Sequence, residues 1–248
     1  MGFFAQGEIM TIQTRKIAYQ HAGLTYEGLL AWDDAASGPR PGVAVAHTWA
    51  GRSEFEEGKA IELAGKGYVG FALDMFGKGV RGEGAEQCQG LIAPLLADRA
   101  LLQDLVNLAV GVMTEQAEVD SSRVAAMGYC FGGLTVLDLG RTGADVRGVV
   151  SLHGLFNAPD NTAGTKITAK VLCLHGYDDP MATPDDLQAL AQELTAAGAD
   201  WQVHAYGNTM HAFTNPQAND PGFGAVYSAA ADHRSSRALD NFLEEVLA

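Results

Sequence analysis

Short apolar runs with strand character alternate with amphipathic segments along most of the chain, and this alternation constrains the fold more than any other feature. "GVAVAHT" (42–48), "YVGFALD" (68–74), "RVAAMG" (123–128), "VRGVVSLHG" (146–154), "KVLCLHG" (170–176) and "WQVHAYG" (201–207) read as strands. Between them, "SEFEEGKAIELAGKG" (53–67), a long stretch around 95–117, "FGGLTVLDLGR" (131–141) and "TPDDLQALAQELTAAGA" (183–199) read as helices. A last helix is expected over 225–247. Ser53 with Glu56 forms a capping box, and Gly67 stops that helix. Thr183 caps another helix, with Pro184 at its first position. The segment 14–32 reads as two strands around a turn at His21, Ala22 and Gly23. Strands alternating with helices predict a mainly parallel sheet covered by helices on both faces. No linker, repeat or low-complexity tract divides residues 1–248, so one α/β domain is expected.

The composition excludes several classes of function. A net charge of −14 opposes nucleic acid and anionic membranes, both of which need a basic surface. No apolar run reaches the roughly 18 residues that suggest a membrane span. The start, "MGFFAQGEIM", has no basic n-region and no long apolar core. Residues 1–10 therefore read as a ragged end, with Met10 as an alternative start. Three widely spaced cysteines, Cys88, Cys130 and Cys173, argue against a disulfide framework and for a reduced, cytoplasmic setting. No local spacing of His and Cys suggests a metal site.

One cysteine has an unusual setting. In "AAMGYCFGGLTV" (125–136), Gly128, Gly132 and Gly133 surround Cys130 where a strand gives way to a helix. This is the nucleophile-elbow pattern with Cys in place of Ser. The glycines let strand and helix backbones approach, and the thiol projects at a helix N-terminus, where the dipole favours thiolate. Cys88 and Cys173 lack this setting and read as inert. A base and an orienting acid should follow on later loops. Of the later histidines, His204 lies mid-strand and His233 in the last helix, while His153 and His175 end strands ahead of the acid candidates. His211, in "GNTMHAFTNP", follows the last strand. The acid candidates are Asp178 and Asp179 in "CLHGYDDPMATP"; spacing alone leaves both open.

"GYCFGG", "HGYDDP" and "HAFTNP", in this order and spacing over about 42–215, resemble the dienelactone hydrolase family of α/β-hydrolases. The resemblance implies Cys130 as nucleophile, His211 as base and Asp179 as its orienter. It also implies an oxyanion hole made by the backbone N–H groups of Phe131 and Trp49. Two positions depart from the family. The glutamate that holds the resting thiol is replaced by Thr48, and a substrate-gripping arginine by Asn215. For the family's other arginine, Arg81 and Arg99 are the nearest candidates. Phe76 and Phe213 are candidate pocket walls, whereas His47 reads as a backbone hydrogen-bonding residue. The expected activity is cysteine-dependent hydrolysis of esters or lactones through an acyl-thioenzyme, with no cofactor and no metal. The substrate would be a small molecule, and monomer and homodimer stay open. The same machinery suits promiscuous hydrolysis of neutral phosphotriesters, and a non-catalytic scaffold is the remaining alternative.

Overall fold

The computed structural model describes residues 11–248, so the tract 1–10 lies outside the described residues. β1 (Ile12–His21) and β2 (Leu24–Asp33) form the expected antiparallel hairpin. Its turn residues Ala22 and Gly23 have φ of 47° and 82°, a turn geometry that matches the strand twist. There follow β3 (Arg40–Ala46), α1 (Glu54–Gly65), β4 (Val69–Ala72), α2 (Gly84–Ala97), α3 (Arg99–Thr114), β5 (Val119–Tyr129) and α4 (Phe131–Arg141). The chain continues through β6 (Gly148–Leu152), β7 (Lys170–Gly176), α5 (Pro184–Ala196), β8 (Trp201–Tyr206), the two-residue strands β9 (Asn219–Asp220) and β10 (Ala225–Val226), and α6 (Ala229–Leu247).

Eight strands form one sheet in the order β1-β2-β4-β3-β5-β6-β7-β8. β3 to β8 are parallel to one another, while β2 alone is reversed and pairs antiparallel with both β4 and the edge strand β1. Alternation along the central strands feeds two cores. Ala44, Ala46, Val124 and Ala126 face one side together with Leu102, Leu105 and Met113 of α3. Val43, Val45, Ala125 and Met127 face the other side with Leu239, Phe242 and Leu243 of α6. Burial on both faces explains why these strands read as continuous apolar runs.

Two expectations about helices change. The stretch around 95–117 is not one helix: α2 begins at Gly84, carries Pro94 inside it and ends before Asp98. The Asp98 side chain then accepts the Leu101 N–H and starts α3. The last helix begins at Ala229 and not at 225, because Ala225 and Val226 pair with β9. β3 sits where the chain order reverses, with β4 on one side and β5 on the other. The crevice beyond the C-terminal ends of β3 and β5 is where ligands bind in sheets of this kind.

Candidate active site

Cys130 alone makes the turn between β5 and α4. Its φ of 57° and ψ of −117° are strained for a residue with a side chain. The strain is fixed by bonds on both sides. The Cys130 N–H donates to the Leu152 carbonyl at 3.0 Å, and the Cys130 carbonyl accepts from Gly133 N–H at 2.9 Å. A Cβ on Gly128 would run into the Gly132 carbonyl, and one on Gly132 into the Ala46 carbonyl at the end of β3. The glycines therefore set how closely α4 approaches two strands. Cys130 is partly exposed, whereas Cys88 and Cys173 are buried. Burial pushes the Cys88 thiol up and the Cys173 thiol to about 12, so neither offers a thiolate near neutral pH.

The loop after β7 brings Asp179 to His211. His211 Nδ1 lies 2.7 Å from Asp179 Oδ2, and both residues are almost fully buried. The other Asp179 oxygen accepts the Met181 N–H at 2.8 Å, which fixes the carboxylate plane. With Nδ1 donating to Asp179, Nε2 is left for another partner, and it has no hydrogen bond among the described residues. Burial alone would depress the imidazole. The negative charge available at Cys130 and the bond to Asp179 outweigh it and push His211 up to about 10. Asp178 has a different task. It is exposed, and its carboxylate accepts the Thr209 N–H at 3.1 Å, while its own N–H donates to the Thr209 carbonyl at 2.9 Å. It thus ties the acid loop to the segment that carries His211.

Cys130 and His211 open into one cavity of about 840 Å³, and Thr48, Trp49, Phe131 and Asn215 also line it. Among the described residues, the N–H groups of Phe131 and Trp49 have no hydrogen-bond partner. The Thr48 N–H is engaged by Glu56. Four other candidates lie elsewhere. Phe76 packs behind the wall against His47 and Phe131, with ring centres 4.5 and 5.7 Å away. Phe213 is fully buried against His153 and Tyr206. Arg81 is exposed and outside the cavity lining. Arg99, the other candidate for a substrate-gripping arginine, is committed to the buried Asp138 at 2.6 Å. No Lys or Arg lines the cavity among the described residues. His47 holds backbone, through Thr48 O at 2.6 Å and Met75 N–H at 3.1 Å.

The structure adds two residues to the site that sequence reasoning did not place there. Glu56 is fully buried in the cavity wall. Its carboxylate accepts from the Thr48 N–H at 3.2 Å and from the N–H and hydroxyl of Ser53 at 2.9 and 2.7 Å. The capping box announced the bond to Ser53, but nothing local announced the reach to the loop after β3. His153 follows β6 with φ of 39° and turns its ring onto His211, 5.1 Å between centres. Its Nε2 lies 2.9 Å from Thr214 Oγ1. Burial, helped by repulsion from His211, holds His153 well below the ordinary range for histidine and so keeps it neutral.

Comparison with known proteins identifies the fold and the family. The chain superposes on the crystal structure of a dienelactone hydrolase-like promiscuous phosphotriesterase from metagenomic libraries with a TM-score of 0.90 and 36% identity, covering 96% of this chain and 99% of that one. A structure named m3DLH agrees equally well, with a TM-score of 0.90, 35% identity and the same coverage of both chains. A Bradyrhizobium sp protein named "Probable 2-oxo-3-(5-oxofuran-2-ylidene)propanoate lactonase" is 26% identical over 82% of this chain and 86% of its own length. The sheet and its helices are those of an α/β-hydrolase. With its sequence matching the family over residues 26–247, the chain belongs to the dienelactone hydrolase family.

Proposed function

We propose that the protein is a cysteine-dependent hydrolase of uncharged esters or lactones, with Cys130, His211 and Asp179 as its triad. The observation that carries this reading is the strained, partly exposed Cys130 at the start of α4, opening into the same cavity as the buried His211–Asp179 pair. Asp179 fixes the imidazole so that Nε2 serves the thiol. A proton passes from Cys130 to His211, and the thiolate attacks the substrate carbonyl. The free N–H groups of Phe131 and Trp49 hold the developing oxyanion; such a donor typically contributes about 3–4 kcal/mol. His211 returns its proton to the leaving alcohol and then takes one from water, which cleaves the acyl-thioenzyme.

The cavity wall supports the choice of an uncharged substrate. It carries the carboxylates of Glu56 and Asp220 and, among the described residues, no cationic Lys or Arg to grip a carboxylate. The same feature favours a second reaction, hydrolysis of neutral phosphotriesters, in which attack also builds negative charge on oxygen. That reading has added support from the 36% identity to a promiscuous phosphotriesterase.

A panel of p-nitrophenyl esters, lactones and neutral phosphotriesters, assayed with wild type and Cys130→Ala, tests both. Cys130→Ala should abolish turnover, whereas Cys88→Ala and Cys173→Ala should retain most of it. Iodoacetamide should label Cys130 fastest, and an active Cys130→Ala would rule out the thiol mechanism. A wild type inert across the whole panel would point to a non-catalytic scaffold.

A further inference from the structure

Phe223 lines the cavity, is 48% accessible, and stacks its ring on Trp49 with centres 5.7 Å apart and planes 27° from parallel. A single exposed aromatic is ordinary on a protein surface. This one is held in place. It sits in the turn between β9 and β10, where its N–H donates to Asp220 Oδ1 at 2.9 Å. The next residue, Gly224, has φ of 81°, and a Cβ there would run into the ring of Pro180, beside Asp179. The Gly224 carbonyl accepts the His211 N–H at 2.9 Å, and the Val226 N–H donates to the His211 carbonyl at 3.0 Å. The turn is therefore fastened to the His211–Asp179 half of the site. Trp49 belongs to the opposite half, in the loop after β3.

We propose that the Trp49–Phe223 stack is the specificity element of the site and binds a planar, uncharged aromatic leaving group. This rests on the ester-hydrolase reading. The leaving alcohol takes its proton from His211, so it must lie on the side to which the β9–β10 turn is fastened. Phe223 still has about half its surface free there. An aryl ring extends the existing stack, gaining both apolar contact and the aromatic geometry that aliphatic groups lack. The neighbouring carboxylates of Glu56 and Asp220 disfavour an anionic ring and leave a neutral one unaffected.

The test compares phenyl butyrate with trifluoroethyl butyrate, which share an acyl group and differ in the planarity of the leaving group. Phe223→Ala and Phe223→Leu should lower the phenyl-over-trifluoroethyl ratio of kcat/KM by about three- to tenfold, mainly through KM, as expected for the loss of one aromatic contact. Phe223→Tyr should keep the ratio near wild type. Calorimetric titration of phenyl butyrate into Cys130→Ala and into Cys130→Ala with Phe223→Ala reads the same contact without turnover, and the second protein should bind about three- to tenfold more weakly. An unchanged ratio together with unchanged binding would overturn the proposal. If wild type hydrolyses neither ester, the ester-hydrolase reading fails on its own, and the calorimetric difference still decides whether the stack binds an aryl group.

Discussion

Asp178 and Asp179 are adjacent, yet one is exposed and the other 2% accessible, and only the second meets His211. Loss of the Asp179 charge should therefore act on tautomer and orientation. Asp179→Asn should lower kcat by about 10⁴, the scale seen when a triad aspartate becomes an amide. Asp178→Asn should act weakly, because an amide oxygen still accepts the Thr209 N–H. Steady-state kinetics of the two variants checks this, and a larger loss for Asp178→Asn would reverse the assignment. At this scale the sequence was legible where chemistry and spacing coincide. Cys130, the acid pair and His211 all stand in fixed order after strand ends. Glu56 was legible only as a cap, because its second role depends on α1 being pressed against the loop after β3. Phe76 and Phe213 were misleading for a related reason. An aromatic near a strand end satisfies the pattern of a pocket wall and of a buried support equally well, and here both are supports.

The elements around the elbow are set by close backbone approach more than by side-chain packing. β5, α4 and β3 meet where Gly132 lies against the Ala46 carbonyl. Gly132→Ala should push α4 away from β3 and so separate the Phe131 and Trp49 N–H groups, which are carried by α4 and by the loop after β3. Activity should fall at least a hundredfold, the scale for losing one oxyanion donor. Circular dichroism should show retained secondary structure, whereas wild-type activity in Gly132→Ala would mean that the two donors do not need this contact. The parallel strands and capped helices were readable because each has a local signal, such as Ser53 with Glu56 or Thr183 with Pro184. The break at Asp98 was not, because one residue separates two apolar helices and Pro94, the stronger local breaker, lies inside α2 without ending it. β9 and β10 are two residues each and exist through pairing, including the bridge from His211 to Ala225, which no propensity reveals.

For the molecule as a whole, the −14 charge and a cavity wall without Lys or Arg among the described residues act in the same direction but over different distances. Neutral activated esters should be hydrolysed with about ten- to a hundredfold higher kcat/KM than carboxylate-bearing lactones of similar reactivity, the scale of one missing charge-assisted contact. Raising the salt concentration should recover only the part of that difference due to long-range repulsion, since exposed charges are screened within about 10 Å at 0.1 M. A preference for the anionic lactone would show that a cation reaches the site. The same wall also bears on what happens after the bond is cut. Hydrolysis turns an uncharged ester into a carboxylate, so the acyl fragment becomes an anion inside a chamber bordered by Glu56 and Asp220. On the proposed ester hydrolysis, the features that make such an anion a poor guest on entry should also speed its departure, so the released acid should inhibit only weakly.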